Sequence, residues 1–338
     1  AEEHVLVHTG QNFTDSLTAV FFREMGIRQP DYVLHIGQQS LGGQLSTVFR
    51  ELEPLLTAEH PDCVLVLGDT NSALSAVLAE RMGFPVVHME AGNRCYDDRV
   101  PEEINRRIID AVSSMNMPYT PRSRMNLLRE GVPPERIVVS GNPIWEVLQA
   151  YKANIDRSDV LERMSLNVNE YMLVTIHRAE NVDDPASLQE IVRGLHLTAE
   201  KFGLRMIMSL HPRTRSKLAR TMISTMHPLI ELHEPFGFFD FVKLEQHAAC
   251  VLTDSGTVQE ECCIFHVPAV TVRRTTERPE TVDCGSNIVS GIDAQRICSA
   301  VSVQLSSARR WTCPDGYMEP SVSDNVVKFL SGVIARRR

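Results

Sequence analysis

The sequence predicts an α/β protein of two doubly wound domains facing a cleft, and three observations carry that prediction. Short β-branched apolar runs alternate with longer segments of helical period. The alternation begins again in the second half of the chain. The polar clusters fall at the carboxyl ends of the apolar runs, where doubly wound sheets collect their ligands. A chain of 338 residues, 43% hydrophobic and 23% charged, has apolar surface enough for about two domains.

In the first half the strands read as HVLVHTG (4–10), YVLHIG (32–37), CVLVLGD (63–69), PVVHMEAG (85–92), NMPY (116–119) and RIVVSGN (136–142). Helical stretches run at Ser16–Met25, Leu45–Leu56 and Ser72–Met82 between them. The second half restarts with YMLVTIH (171–177), RMIMSLH (205–211), LIELHEP (229–235), CVLTDSG (250–256) and AVTVRR (269–274). The polar segment Tyr151–Glu170 is expected to be the linker. A doubly wound domain ordinarily opens on a strand and helix with a glycine-bearing turn, whereas this sequence begins at the following strand. The phosphate or base contacts of such a turn are therefore left unassigned.

Net charge is −9, and the only run of like charge is the short tail Arg336, Arg337, Arg338, which argues against electrostatic capture of nucleic acid. No apolar stretch approaches the roughly 20 residues that span a bilayer, and no basic-then-apolar signal opens the chain, so a cytoplasmic location is expected. The eight cysteines read as small buried hydrophobes, Cys250, Cys262, Cys263 and Cys298 among them. Adjacent Cys262 and Cys263 have the wrong spacing for a zinc knuckle, and with no CxxC no metal is expected.

The strand ends carry the candidate chemistry. Asp254-Ser255-Gly256-Thr257 follows an apolar strand and opens a helix, which offers free backbone N–H groups and a helix dipole to an anion such as a diphosphate. Asp254 or Ser255 could equally be no more than a helix cap. Arg278, within TTERPE, presents a fork of donors suited to phosphate, while Arg273 and Arg274 are open between ligand contact and solvated ion pairs. Glu261 can accept hydrogen bonds from ribose hydroxyls or can belong to a solvated helix face.

Asp69, Glu90, Glu102 and Glu103 stand at strand or helix ends of the first half. Carboxylates facing a polyanion would repel it, so their presence points to proton transfer; Glu103 also fits a cap or salt bridge. His177 and His211 end equivalent strands of the second half and are open between structural and ligand-binding roles.

In order, GDTNS, HMEAGNR, PEEINRR, TIHRAEN, LHPR, DSGTVQEE and RTTERPE resemble the motifs of the non-hydrolysing UDP-N-acetylglucosamine 2-epimerase family, from HTGQNF (8–13) to CGSNIVSG (284–291). The resemblance implies a fold of the glycosyltransferase-B type with two Rossmann-like domains, 1–152 and 153–320. It further implies that the helix 321–338 packs back on the first domain. It implies a UDP-sugar as partner, a homodimer, and neither metal nor nicotinamide. Carried over by position, it assigns acid/base roles to Asp69, Glu90, Glu102 and His177, and substrate or phosphate contacts to Arg106, His211 and Arg213. It sets Ser255 and Gly256 at the phosphates, Glu261 at the ribose, Arg278 near the diphosphate, Phe241 beside the uracil, and a second ligand near Gln11. The expected activity is inversion at C2 of a UDP-N-acetylhexosamine, with UDP eliminated to give a 2-acetamidoglucal and then re-added.

Three features depart from the family pattern: the absent first strand–helix unit, DSGT in place of DSGG, and HMEAGNRCYDD in place of EAGLRT. The last resembles the subgroup acting on 6-deoxy or uronic-acid derivatives. A UDP-sugar glycosyltransferase of the same fold and an inactive UDP-sugar-binding protein are the rival readings.

Overall fold

The computed structural model describes residues 3–10, 22–36, 40–221 and 226–335, and the chain divides into two compact units. One comprises residues 1–143 and 319–338, the other residues 144–318.

In the first unit, β1 (Val7–His8) pairs in parallel with β2 (Tyr32–Val33), and β3 (Val64–Leu67), β4 (Val86–Met89) and β5 (Met115–Met117) form a parallel sheet in that order. The crossovers are α1 (Leu41–Glu59), α2 (Ser75–Arg81) and α3 (Pro101–Val112), and α4 (Pro121–Arg129) follows β5. Ser40 starts α1 by accepting from the Gly43 N–H, and prolines at the starts of α3 and α4 supply the fixed φ that suits a first helical turn. Leu52, Leu56, Val66, Ala76 and Ile109 share one core. On the other face of the sheet Val87, Met89 and Met117 pack against Val322 and Val326 of the C-terminal helix, Val322–Ala335.

The stretch 136–142, expected as a strand, is not one. It makes a single bridge, Ile137 to Asn116, and the Val138 and Ser140 N–H groups then bond to Asn116 and Pro118 carbonyls. Pro133 and Pro134 tighten its start into a 3-10 turn, so the ladder never lengthens.

The second unit is a six-stranded parallel sheet of order β11-β10-β9-β6-β7-β8. Its strands are β6 (Tyr171–Thr175), β7 (Arg205–Ser209), β8 (Ile230–His233), β9 (Cys250–Thr253), β10 (Ala269–Thr271) and β11 (Asn287–Val289). Its helices are α5 (Ile144–Ala150), α6 (Lys152–Arg157), α7 (Val160–Arg163), α8 (Ala179–Val182), α9 (Pro185–Phe202), α10 (Pro212–Thr221), α11 (Phe238–His247), α12 (Gly256–Phe265), α13 (Pro279–Asp283) and α14 (Ala294–Ser306).

Alternate strand residues face opposite layers. Met172, Val174, Met208 and Leu252 pack with Leu188 and Leu195 of α9 and Ile297 and Val301 of α14. Tyr171, Leu173, Ile207 and Val251 pack with Leu244 of α11 and Val258 and Cys262 of α12. Asp184 caps α9 by accepting from Ala186 and Ser187 N–H groups, and Gly203 closes that helix in the left-handed region.

The segment expected as linker instead folds into α6 and α7. Ile155 and Val160 are buried in it, so its polar residues are only the outer faces of two short helices. The strand β11 was not foreseen, because NIV is too short a run to stand out from its polar flanks.

Candidate active site

In the first unit β3 is followed directly by Gly68-Asp69 and β4 by Glu90. Glu90 itself has φ +66°, the left-handed region that a branched or long side chain seldom adopts. The turn is over-determined by its neighbours. Gly92 has φ +75°, and a Cβ there would meet the Ser123 carbonyl oxygen at 2.3 Å. Asn126 Nδ2 donates to the Gly92 carbonyl, and Ser123 Oγ donates to Asn93 Oδ1.

This geometry brings the Glu90 carboxylate to Gly68, where an added Cβ would lie 3.2 Å from Oε2 at φ +72°. Asp69 pairs with the buried Arg106 guanidinium, which also donates to the Asn93 carbonyl at 3.1 Å. Asn105 Nδ2 donates to the Asp69 carbonyl at 2.9 Å. Asp69, Glu90 and Arg106 are thus gathered at two adjoining strand ends. Glu102 lies half-buried in the first turn of α3, four residues ahead of Arg106 and hence on the same helix face.

Glu103 is fully buried and takes the structural role: it accepts from the Cys95 N–H at 2.9 Å and pairs with Arg107 at 3.0 Å.

Beneath the turn lies a group of residues that sequence reasoning missed. Both ring nitrogens of buried His88 meet oxygen, Nδ1 at Asp110 Oδ1 and Nε2 at the Gly68 carbonyl, each at 2.8 Å. Asp110 also accepts from the Gly92 N–H and from Arg94. Burial alone would push the Asp110 carboxyl up, but His88 and Arg94 outweigh it and hold the group below the usual carboxylate range. Asp110 therefore fixes both the Gly68 and the Gly92 turns.

In the second unit Asp254 is the organiser. Its side chain is fully buried and accepts from the His177 N–H at 2.9 and 3.0 Å, from the Arg178 N–H at 2.9 Å and from Asn181 Nδ2 at 3.0 Å. Neither cap reading holds: Asp254 ties the end of β9 to the loop after β6, and Ser255 stands at the N-cap of α12 with no side-chain cap bond. The loop after β6 carries His177, whose ring centre lies 5.6 Å from that of His211 at the end of β7. Burial, then the neighbouring His177 and Arg213, lower the His211 pKa, so its neutral form is favoured. Arg213 is exposed and pairs with Asp183 at 3.3 Å.

Arg278 flanks the opening of α12. Its Cζ and Nη2 stand 3.5 Å from where a Cβ on Gly256 would sit. Its Nε pairs with buried Glu260, and its N–H is held by Thr276 Oγ1 at 3.0 Å. Thr276 in turn donates to Gln259 Oε1 at 2.6 Å. A guanidinium and the first N–H groups of a ten-residue helix therefore converge.

Thr257, the departure from DSGG, is the second residue of that helix with its side chain exposed, where a β-branched residue is under no backbone constraint. Arg273 is not a solvated ion pair: it is buried and bonds Glu277 at 2.7 and 3.0 Å and Glu180 at 3.2 Å.

Glu261 is buried rather than solvated, and Phe241 is half-buried on α11 against the Val258 layer. Gln11 lies outside the described residues. Among the described residues no group of three or more His, Cys, Asp or Glu is arranged to hold a metal ion, and no helix is long and apolar enough to cross a membrane.

The family model described as UDP-N-acetylglucosamine 2-epimerase matches residues 1–331. A UDP-N-acetylglucosamine 2-epimerase of Methanococcus maripaludis is 39% identical over 319 residues, covering 92% of this chain and 87% of the relative. A UDP-2,3-diacetamido-2,3-dideoxy-D-glucuronate 2-epimerase of Pseudomonas aeruginosa is 35% identical over 302 residues, covering 89% and 84%. The crystal structure of Methanocaldococcus jannaschii UDP-GlcNAc 2-epimerase in complex with UDP-GlcNAc and UDP superposes with a TM-score of 0.91 at 37% identity, covering 96% of this chain and 91% of that one. On the family model that spans nearly its whole length and on these relatives, the chain belongs to the UDP-N-acetylglucosamine 2-epimerase family.

Proposed function

We propose that the protein inverts C2 of a UDP-N-acetylhexosamine without hydrolysis, UDP-N-acetylglucosamine to UDP-N-acetylmannosamine in the first instance. The observation that carries this reading is the gathering of Asp69, Glu90 and Arg106 at two strand ends, with Glu102 on the same face of α3 as Arg106. Transfer of a sugar from UDP needs fewer proton-handling groups than these.

In the proposed cycle a carboxylate removes the C2 proton as the C1–O bond breaks and UDP departs, leaving a 2-acetamidoglucal. UDP then re-adds to C1 while a second acid delivers a proton to the opposite face of C2. Asp69, Glu90 and Glu102 are the acid/base groups. His177, Ser255, Gly256 and Arg278 stabilise the departing diphosphate, supported by His211, Arg213 and Arg106. Glu261 receives the ribose hydroxyls and Phe241 stands beside the uracil. The chain is read as a homodimer working in the cytoplasm, and sedimentation equilibrium tests the dimer.

Incubation with UDP-N-acetylglucosamine in deuterated water tests the reaction. Deuterium at C2 of both epimers is expected, whereas acceptor-dependent UDP release without exchange would establish transfer instead. The 35% identity to a diacetamido-glucuronate epimerase favours one second reading, a uronic-acid derivative as the sugar, which the same exchange assay with that substrate decides by the ratio of kcat/KM values.

A further inference from the structure

Along β4 the side chains of Val87 and Met89 face the C-terminal helix, and those of Val86 and His88 point to the opposite layer, where Val86 packs with Val66 and Ile109. His88 is thus a polar residue at a core position, fully buried, and burial there is costly unless its polar atoms are bonded. Both ring nitrogens face oxygen at 2.8 Å, and these contacts fix where the protons lie. The Gly68 carbonyl can only accept, so Nε2 carries a hydrogen. Asp110 Oδ2 is taken by the Gly92 N–H at 3.1 Å and by Arg94 at 2.7 Å, which leaves Oδ1 for Nδ1. Two bare lone pairs would repel at that distance, so a second proton lies between Oδ1 and Nδ1. Asp110 therefore keeps Nδ1 occupied and leaves Nε2 as the donor to Gly68.

Gly68 needs such a donor. At φ +72° a glycine is free to turn its peptide plane, and the plane after Gly68 leads into Asp69. The Gly68 N–H is tied to the Met89 carbonyl at 3.1 Å and its carbonyl to His88. The next carbonyl, that of Asp69, accepts from Asn105 at 2.9 Å. The peptide groups on both sides of Asp69 are thus held by side chains of β4 and α3.

We propose that His88 is a positioning residue for the C2 inversion: its Nε2–H holds the Gly68–Asp69 peptide at the angle that sets the Asp69 carboxylate for proton transfer. The proposal rests on the reading of Asp69 as an acid/base group. His88 touches no reacting atom and acts only through the backbone that carries Asp69. A displacement of about 1 Å in such a group is enough to cost on the order of a hundredfold in rate.

The test tells the two ring nitrogens apart. It uses the full chain and the variants H88Q, H88N, H88L and D110N, with kcat and KM for UDP-N-acetylglucosamine, UDP affinity by calorimetry, and Tm. A glutamine amide reaches the place of Nε2, and an asparagine amide that of Nδ1. H88Q is expected to keep kcat within about fivefold of wild type, whereas H88N and H88L lower it about ten- to hundredfold. KM and UDP affinity should stay within about twofold throughout, since α12 and Arg278 belong to the second unit. Stability is expected to run the other way. H88N keeps the bond to the Asp110 carboxylate, which is worth more than a bond to a carbonyl, so H88N should melt above H88Q. For a merely structural residue, activity would follow Tm instead. The D110N amide can donate to Nδ1 and leave the proton on Nε2, so D110N should also keep kcat within about fivefold. On the wild-type chain, nitrogen NMR of the histidine rings should show His88 Nε2 protonated.

H88N as active as wild type, H88Q or D110N no more active than H88L, or a His88 Nε2 without a proton overturns the proposal. Retained C2 exchange in Asp69→Asn shows instead that the reading of Asp69 is what fails. If that variant loses exchange while H88N keeps full activity, His88 is what fails.

Discussion

The carboxylate of Asp69 is paired with the buried Arg106 guanidinium. A carboxylate can accept a proton, whereas Asp69→Asn keeps the shape and removes that capacity. D69N is expected to lower C2 exchange at least a hundredfold, the usual worth of a positioned acid/base group, while UDP affinity stays within about twofold. Exchange by NMR and calorimetry on one preparation check this, and retained exchange would remove Asp69 from the proton steps. The uncompensated Arg106 should also cost about 3 kcal/mol of stability, visible in denaturant melts and separable from chemistry at low temperature. His211 titrates in the opposite sense from a group gaining a carboxylate. Its folded pKa lies below the ordinary histidine value, so the folded state binds fewer protons just below pH 6.5 and stability declines as pH falls through that window. A bound diphosphate would reverse the imbalance. UDP binding near pH 6 is therefore expected to take up a proton fraction, read from calorimetry in buffers of different ionisation heat, and His211→Asn should abolish it.

At the scale of elements, the sequence revealed the strands that bury both faces and concealed what lies between them. Runs such as CVLT and YMLVT declare themselves by composition, and so the strand ends carrying Asp69, Glu90, His177 and Arg278 were legible. The partners that hold those ends were not. Asp254 bonds to His177 across 77 residues, and Asp110 reaches His88 across 22, and no local periodicity encodes either distance. Asp254, which stands between β9 and α12 in the chain, holds the loop after β6 and Asn181 of α8 through four hydrogen bonds, so Asp254→Asn should act on an element and not on a side chain. Each charge-assisted bond is worth about 1.5–3 kcal/mol, and an amide oxygen recovers part of it. D254N is expected to lower stability by about 2–4 kcal/mol and to weaken UDP binding; unchanged UDP affinity would mean that the His177 loop and the helix opening are positioned independently.

For the whole molecule, the chain does not divide at a single point. Residues 319–338 return to the first unit, where Val322 and Val326 bury against Val87, Met89 and Met117 and half-buried Phe329 and Leu330 complete the layer. That layer lies under β4, the strand that precedes Glu90. Removing residues 321–338 would uncover three core side chains of the sheet, each worth about 1.5–3 kcal/mol when buried, a loss comparable to the stability of an ordinary domain. The core clusters of the second unit draw on residues between Ile144 and Tyr317. Truncation is thus expected to split calorimetric unfolding into two transitions, an early one for the first unit and one near the wild-type temperature for the second. UDP should still shift the later transition upward, because α12 and Arg278 belong to the second unit, while C2 exchange disappears. A single transition shifted downward as a whole would show instead that the two units unfold as one. The double variant V322A/V326A gives the graded form of the experiment: about 3–5 kcal/mol lost from the first unit, with UDP stabilisation of the second unchanged.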